Sequence, residues 1–259
     1  MADSGVTLDL AHVQPEARAI VERAARVYVA HTRPWLVGLL LHGSAVKGGF
    51  ILGCSDVDFQ LYLRDDAFEA DGALPLELTL ALHRDLARID PAPFNYLQCF
   101  AHGSSLPAGQ VGPIPGVYAL LTGALPIPEA TAEELVASAS AALGRLIIPP
   151  EKLTSGLLDH GEGRLERHVR LLCTDIWPTL YHVLAVRDRD PIRMWGLAKP
   201  MAIAQLSPAT PMGAAIRAFY DALVAYYPSH ADAEAGLRVI ERGVAFLRAA
   251  RTWWTSPRR

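Results

Sequence analysis

The chain has 259 residues, 51% of them apolar and 20% charged, and 24 basic against 27 acidic side chains leave a formal net charge of −3. That length suits one large domain or two ordinary ones, and high apolar content at low net charge excludes intrinsic disorder. The faintly acidic balance argues against bulk nucleic acid or an anionic membrane as a partner.

Cys54, Cys99 and Cys173 form no CxxC pair and no metal-ligand spacing. An odd, scattered set of this kind fits a reducing cytoplasm, which is the expected location. The opening MADSGVTLDLAHVQPEARAI lacks the basic stretch and apolar run of a secretory signal. Residues 91–128 hold no Asp, Glu, Lys or Arg, yet seven prolines and five glycines interrupt them. A membrane helix needs about 20 continuous apolar residues, so this stretch reads as buried strands and turns.

In chain order, Ile20, Ala24 and Val27 recur at helical spacing in a first helix over 14–30, with Pro15 suited to its start. LVGLLLH, 36–42, has the length of a buried strand. GSAVKGGFILGCS, 43–55, is a Gly/Ser-rich connector with room for one short helix. DVDFQLYL, 56–63, alternates strictly. Asp56, Asp58, Gln60 and Tyr62 point one way; Val57, Phe59, Leu61 and Leu63 point the other. An amphipathic helix over 75–89, strands over 94–102 and 116–122, and a helix at about 130–145 follow.

After IIPPEK, 147–152, strand signals fade. Helical patterns run at 162–187, 193–206, 211–227 and 232–253, with Pro178, Pro200, Pro208 and Pro211 expected to kink or end some of them. The reading is an α+β domain over 1–147 and a helical domain over 148–259.

The segment LLLHGSAVKGGFILGCSDVDFQLYL, 39–63, carries the chemistry. A strand leads to Gly43-Ser44, eleven residues follow, and Asp56-x-Asp58 opens the alternating strand. Two carboxylates on one strand face, with Cα atoms roughly 6.7 Å apart, reach the same divalent cation or a close pair of them. Their oxygen ligands favour Mg²⁺, which also relieves their mutual repulsion. Gly43 lets the backbone approach a ligand. The Ser44 hydroxyl and the amides opening a following helix suit a phosphate. Taken alone, Asp-x-Asp is a polar strand face and Gly-Ser is a turn; the joint pattern is what points to a site.

Residues 39–63 resemble the signature of the DNA polymerase β-like nucleotidyltransferase superfamily, most closely its aminoglycoside nucleotidyltransferase branch. GVYALLTGALPIPEATAEEL, 116–135, is similar to the strand and helix after the catalytic core of that branch. The resemblance implies an N-terminal mixed sheet with helices, followed by a C-terminal helical bundle. Carried over, Gly43 and Ser44 hold the triphosphate of ATP or another nucleoside triphosphate, and Asp56 and Asp58 bind Mg²⁺. Lys199, in RMWGLAKPMAI, resembles a helical-domain lysine that contacts nucleotide phosphates.

The implied activity moves a nucleoside monophosphate, AMP first among them, onto the hydroxyl of a small molecule. A cationic, aminoglycoside-like antibiotic is the leading acceptor, and the acidic cluster Asp65, Asp66, Glu69 and Asp71 offers it one attraction. Two rival readings stand beside this one. One is a protein-modifying minimal nucleotidyltransferase of a toxin–antitoxin pair; the other is a non-catalytic nucleotide-binding module.

The chain departs from the family at one place. Many members carry a third carboxylate on a later core strand, and FNYLQCFAH, 94–102, contains no acid. Asn95 and Gln98 cannot act as a base. His102 can, and the remaining choices are Asp90 before the strand or an acid of the helical domain such as Glu162, Glu166 or Asp175. Trp177, Trp195, Trp253 and Trp254 read as core residues.

Overall fold

The computed structural model describes residues 6–106, 109–150, 153–227 and 232–256. The chain divides into two compact units, residues 1–130 and 131–259. The expected boundary at 147 therefore differs by one helix. The helix after the last strand packs with the helical unit and belongs to it.

The first unit opens with α1 (Pro15–Thr32), β1 (Leu36–His42), the single-turn α2 (Ser44–Lys47) and β2 (Val57–Leu63). It continues with α3 (Leu76–Leu86), β3 (Leu97–His102) and β4 (Tyr118–Gly123). The strands form a sheet in the order β3-β2-β1-β4. β1 runs antiparallel to β2 and β4, while β2 and β3 are parallel.

Alternation decides which side of this sheet is core. Leu39 and Leu41 of β1 and Val57, Phe59 and Leu61 of β2 are buried together with Ile20, Ala24 and Val27 of α1. Tyr28 meets Phe59 with ring centroids 5.2 Å apart, and Leu82 brings α3 into the same cluster. Burial of each Val, Leu, Ile or Phe side chain among these stabilises by roughly 1.5–3 kcal/mol. The opposite face carries a smaller cluster, Leu40, Tyr62 and Ile127, with Val37, Tyr118, Leu120 and Leu125 packed against it.

The second unit contains α4 (Ala132–Gly144), α5 (Leu153–Gly156), α6 (Arg164–Arg187), α7 (Pro191–Gly196), α8 (Lys199–Ala204), α9 (Pro211–Tyr226) and α10 (Ala233–Thr255). Thr131 and Glu134 close a capping box at the start of α4. α6 is the central element, in contact with α4, α7 and α10. It runs through Pro178 without ending. Val169, Leu172, Ile176, Leu180 and Val183 are buried on both sides of the proline, and this packing outweighs the lost hydrogen bond. The helix expected over 193–206 is two short helices, with Leu197 and Ala198 extended between them and Pro200 in the first turn of the second. Among the described residues no helix is long and apolar enough to cross a membrane.

Candidate active site on the polar sheet face

Because Val57 and Phe59 are wholly buried, Asp58 between them faces the other side of the sheet. Its neighbours there follow from register. His42 of β1 stands opposite on one side and Gln98 of β3 on the other. Asp56 lies one residue ahead of β2, and its charge reaches the His42 ring.

Gly43 follows His42 and takes φ +74°, ψ −150°, a conformation L side chains rarely adopt. A Cβ there would stand 2.5 Å from Asp58 Oδ2. The turn after β1 thus passes directly against the Asp58 carboxylate, and a side chain there would force that carboxylate aside. Ser44 is buried at the start of α2. The expected following helix is α2, whose single turn leaves it little dipole to add to its opening amides.

The lead into Asp56 is fixed by hydrogen bonds. Ser55 Oγ accepts from the Ile51 amide at 2.8 Å, and the Ser55 carbonyl accepts from the Asn95 amide at 2.8 Å. Asn95 Nδ2 donates to the Gly53 carbonyl at 2.7 Å, and the Gly53 amide to the Pro93 carbonyl at 3.0 Å. Asn95 therefore holds the loop that presents Asp56.

The other proposed third groups divide. Gln98 is beside Asp58 on the same face. His102 is opposite Tyr62 in the register, four residues further along the strand, roughly 13 Å between Cα atoms. Its ring packs against Tyr62 at 5.5 Å, and burial lowers its pKa. Asp90 accepts from the Ala92 amide at 3.0 Å and is exposed, as in an ordinary Asx turn.

Glu162, Glu166 and Asp175 belong to the second unit. Glu162 is exposed. Glu166 pairs with Arg170 at 2.8 Å, and burial raises the Asp175 pKa. Among the described residues no group of three or more His, Cys, Asp or Glu side chains converges on a common metal position.

Lys199 stands at the start of α8 with its ammonium 5.5 Å from the Trp177 ring centroid, a cation–π contact within its own unit. Trp177 also meets Phe219 edge-on, and Trp195 stacks on Tyr181 at 5.1 Å. Of the acidic run after β2, Asp65, Asp66 and Asp71 are engaged locally. Asp65 accepts from the Ser104 amide and hydroxyl, Asp66 pairs with Arg64, and Asp71 accepts from the Ala73 amide. The Ser104 bonds and the Arg64 contact hold both Asp65 and Asp66 below the usual carboxylate range.

His42 is the residue the sequence reading passed over. Its Nε2 is buried with no hydrogen-bond partner among the described residues. Burial pulls its pKa down to about 4, with Lys47 and His102 acting in the same direction and Asp56 opposing. The available signal was its place, the one polar residue ending an apolar strand before Gly43-Ser44.

No family model matches this chain. No curated protein matches it. Among solved structures it is similar to spectinomycin adenyltransferase AAD(9) from Enterococcus faecialis, crystallised with ATP and spectinomycin. That likeness has 12% identity and a TM-score of 0.48, over 88% of this chain and 98% of that one.

Proposed function

We propose that this protein is a Mg²⁺-dependent nucleotidyltransferase that moves a nucleoside monophosphate, AMP from ATP, onto the hydroxyl of a small molecule. The observation that carries the reading is the approach of the Gly43 turn to Asp58, where a Cβ would lie 2.5 Å from Oδ2. The Gly43-Ser44 turn and the Asp58 carboxylate therefore meet at one place, as a shared phosphate and metal site would need.

Asp56 and Asp58 would hold the ion. Two carboxylates suit Mg²⁺, which takes its other ligands from substrate phosphates and water. The ion, when bound, neutralises phosphate charge. The chain's own part is to position. Gly43 and Ser44 receive the phosphates, and the Asn95 anchor keeps Asp56 in place. In the transfer, the acceptor oxygen bonds to the α-phosphorus, the bond from that phosphorus to its bridging oxygen breaks, pyrophosphate leaves, and the hydroxyl proton passes to water. The phosphate contact assigned to Lys199 rests on the family resemblance alone.

The test is incubation of the purified chain with α-labelled ATP, Mg²⁺ and a panel of hydroxyl acceptors, aminocyclitols included. Metal-dependent pyrophosphate release with label in the acceptor is expected, and its loss on chelation. A folded chain that neither binds ATP with Mg²⁺ nor releases pyrophosphate refutes the reading.

One observation favours a second reading. Gln98, beside Asp58, is a neutral amide. A site with nucleotide affinity and no general base suits a nucleotide-binding module, and ATP binding without pyrophosphate release would select it.

A further inference from the structure

The polar sheet face continues past Asp58. By register, Asp58 is level with Gln98, Gln60 with Phe100, and Tyr62 with His102. Beyond the aspartate pair, positions 60, 62, 98, 100 and 102 hold no acid. We propose that the open part of this strip, Gln60, Gln98, Phe100 and His102, is the bed of the acceptor, and that it selects a planar hydroxyaryl molecule bearing a carboxylate or carbonyl, not a polycation. The inference rests on the nucleotidyltransferase reading and names its acceptor class.

Two amides set the polarity of the strip. The Tyr62 hydroxyl donates to Gln60 Oε1 at 2.9 Å, and the Tyr96 hydroxyl donates to Gln98 Oε1 at 2.9 Å. Tyr62 is fully buried, which pushes its pKa up to about 12 and keeps it a donor. Each amide oxygen already accepts one tyrosine hydroxyl, and the NH₂ groups of Gln60 and Gln98 are donors on adjacent strands. Donors of this kind meet carboxylate or carbonyl oxygens, and positions 60, 62, 98, 100 and 102 supply no carboxylate to pair with an ammonium group.

The rings supply a platform. Phe100 is 53% exposed, and His102 lies 6.5 Å from it and 5.5 Å from Tyr62 by ring centroid. An aromatic side chain this open beside a polar pair is suited to stacking on a flat ligand.

The experiment is equilibrium dialysis of the full chain with 4-hydroxybenzoate and, separately, with kanamycin as the polycationic probe. Each is run with and without Mg²⁺ and a non-hydrolysable ATP analogue, whose own binding is read in parallel. Saturable 4-hydroxybenzoate binding tighter than kanamycin binding is expected. Phe100→Ser should weaken it about tenfold, the lower range for one aromatic stack. Gln60→Glu, which keeps an acceptor for the Tyr62 hydroxyl, should weaken it at least as much by adding like charge. Tighter kanamycin binding, no 4-hydroxybenzoate binding, or wild-type affinity in both variants overturns the proposal. So does a Phe100→Ser variant that loses affinity for the ATP analogue and not for the aryl probe, because the platform then serves the nucleobase. Aryl binding as expected without any binding of the ATP analogue refutes the nucleotidyltransferase reading and leaves the aryl bed standing.

Discussion

Asp58 and Gln98 are paired neighbours on parallel strands, on one face of the sheet. A carboxylate and a neutral amide thus stand side by side where two carboxylates would complete an acidic triad with Asp56. Gln98→Glu should create that triad. Mg²⁺ affinity, measured by calorimetry, is expected to rise, and pyrophosphate release to increase. General-base help is typically worth about 10²–10⁴-fold. Unchanged Mg²⁺ dependence would show that position 98 does not communicate with the pair.

Asp58→Ala tests the pair itself. The residue is half-buried and outside the apolar core, so the variant should fold with a Tm near that of the wild type. Mg²⁺-dependent ATP binding and pyrophosphate release should fall by about 10²-fold or more, because charge neutralisation at the phosphates is lost. Retained turnover in a folded Asp58→Ala protein removes Asp58 from the site.

Gly43→Ala tests the close approach. The added Cβ meets Asp58 Oδ2 at 2.5 Å, and φ of +74° strains any L residue. Asp58 can swing aside, so the stability cost should stay near the strain alone, about 1–2 kcal/mol. Activity should drop far more than thermal denaturation does. Equal activity with a displaced Asp58 would separate the turn from function.

Asn95→Ala should lower stability by about 1–2 kcal/mol, since the Gly53 carbonyl loses its 2.7 Å donor. The same change should weaken metal-dependent ATP binding through the Asp56 loop. Asn95→Asp cannot donate to that carbonyl and should do no better. A variant with unaltered Tm contradicts the anchoring role.

A pH prediction comes from the helical unit. Burial lowers the His182 pKa from 6.5 to about 4, and its ring lies edge-on to Trp195 at 5.5 Å. The unfolded chain therefore binds the extra proton between these values. The stability from neutral His182 is fully present above pH 6.5 and is lost as pH falls toward and through 4. The full loss is about 3 kcal/mol at most. Urea denaturation of wild type and His182→Leu between pH 7 and pH 4 should show a flatter slope in the variant. Parallel slopes would assign the acid sensitivity elsewhere.

Local residue order carried much of the fold. Period-two alternation over 56–63 specified which side of β2 is buried, because an apolar face of Val57, Phe59, Leu61 and Leu63 has one way to leave water. Helical spacing and Pro15 located α1, and the Thr131–Glu134 capping box stands where the chain passes into α4. What adjacent residues can express, they expressed: the Gly43-Ser44 turn, the aspartate pair, and the absence of an acid from 94–102.

Other features needed pairing across distant segments. Periodicity in one helix does not name its partner, so only packing on α6 assigned α4 to the second unit, and only packing carried α6 through Pro178. The Asn95 anchor joins residues 42 positions apart, and the Asp65–Ser104 bonds 39 apart. Strand register set Gln98 and His42 on either side of Asp58 and moved His102 down the strand to Tyr62. Hydrogen bonding between strands is non-local, with a one-residue slip enough to turn every side chain to the other face. The motif was therefore written in the order of the residues, and its neighbours were chosen by the sheet.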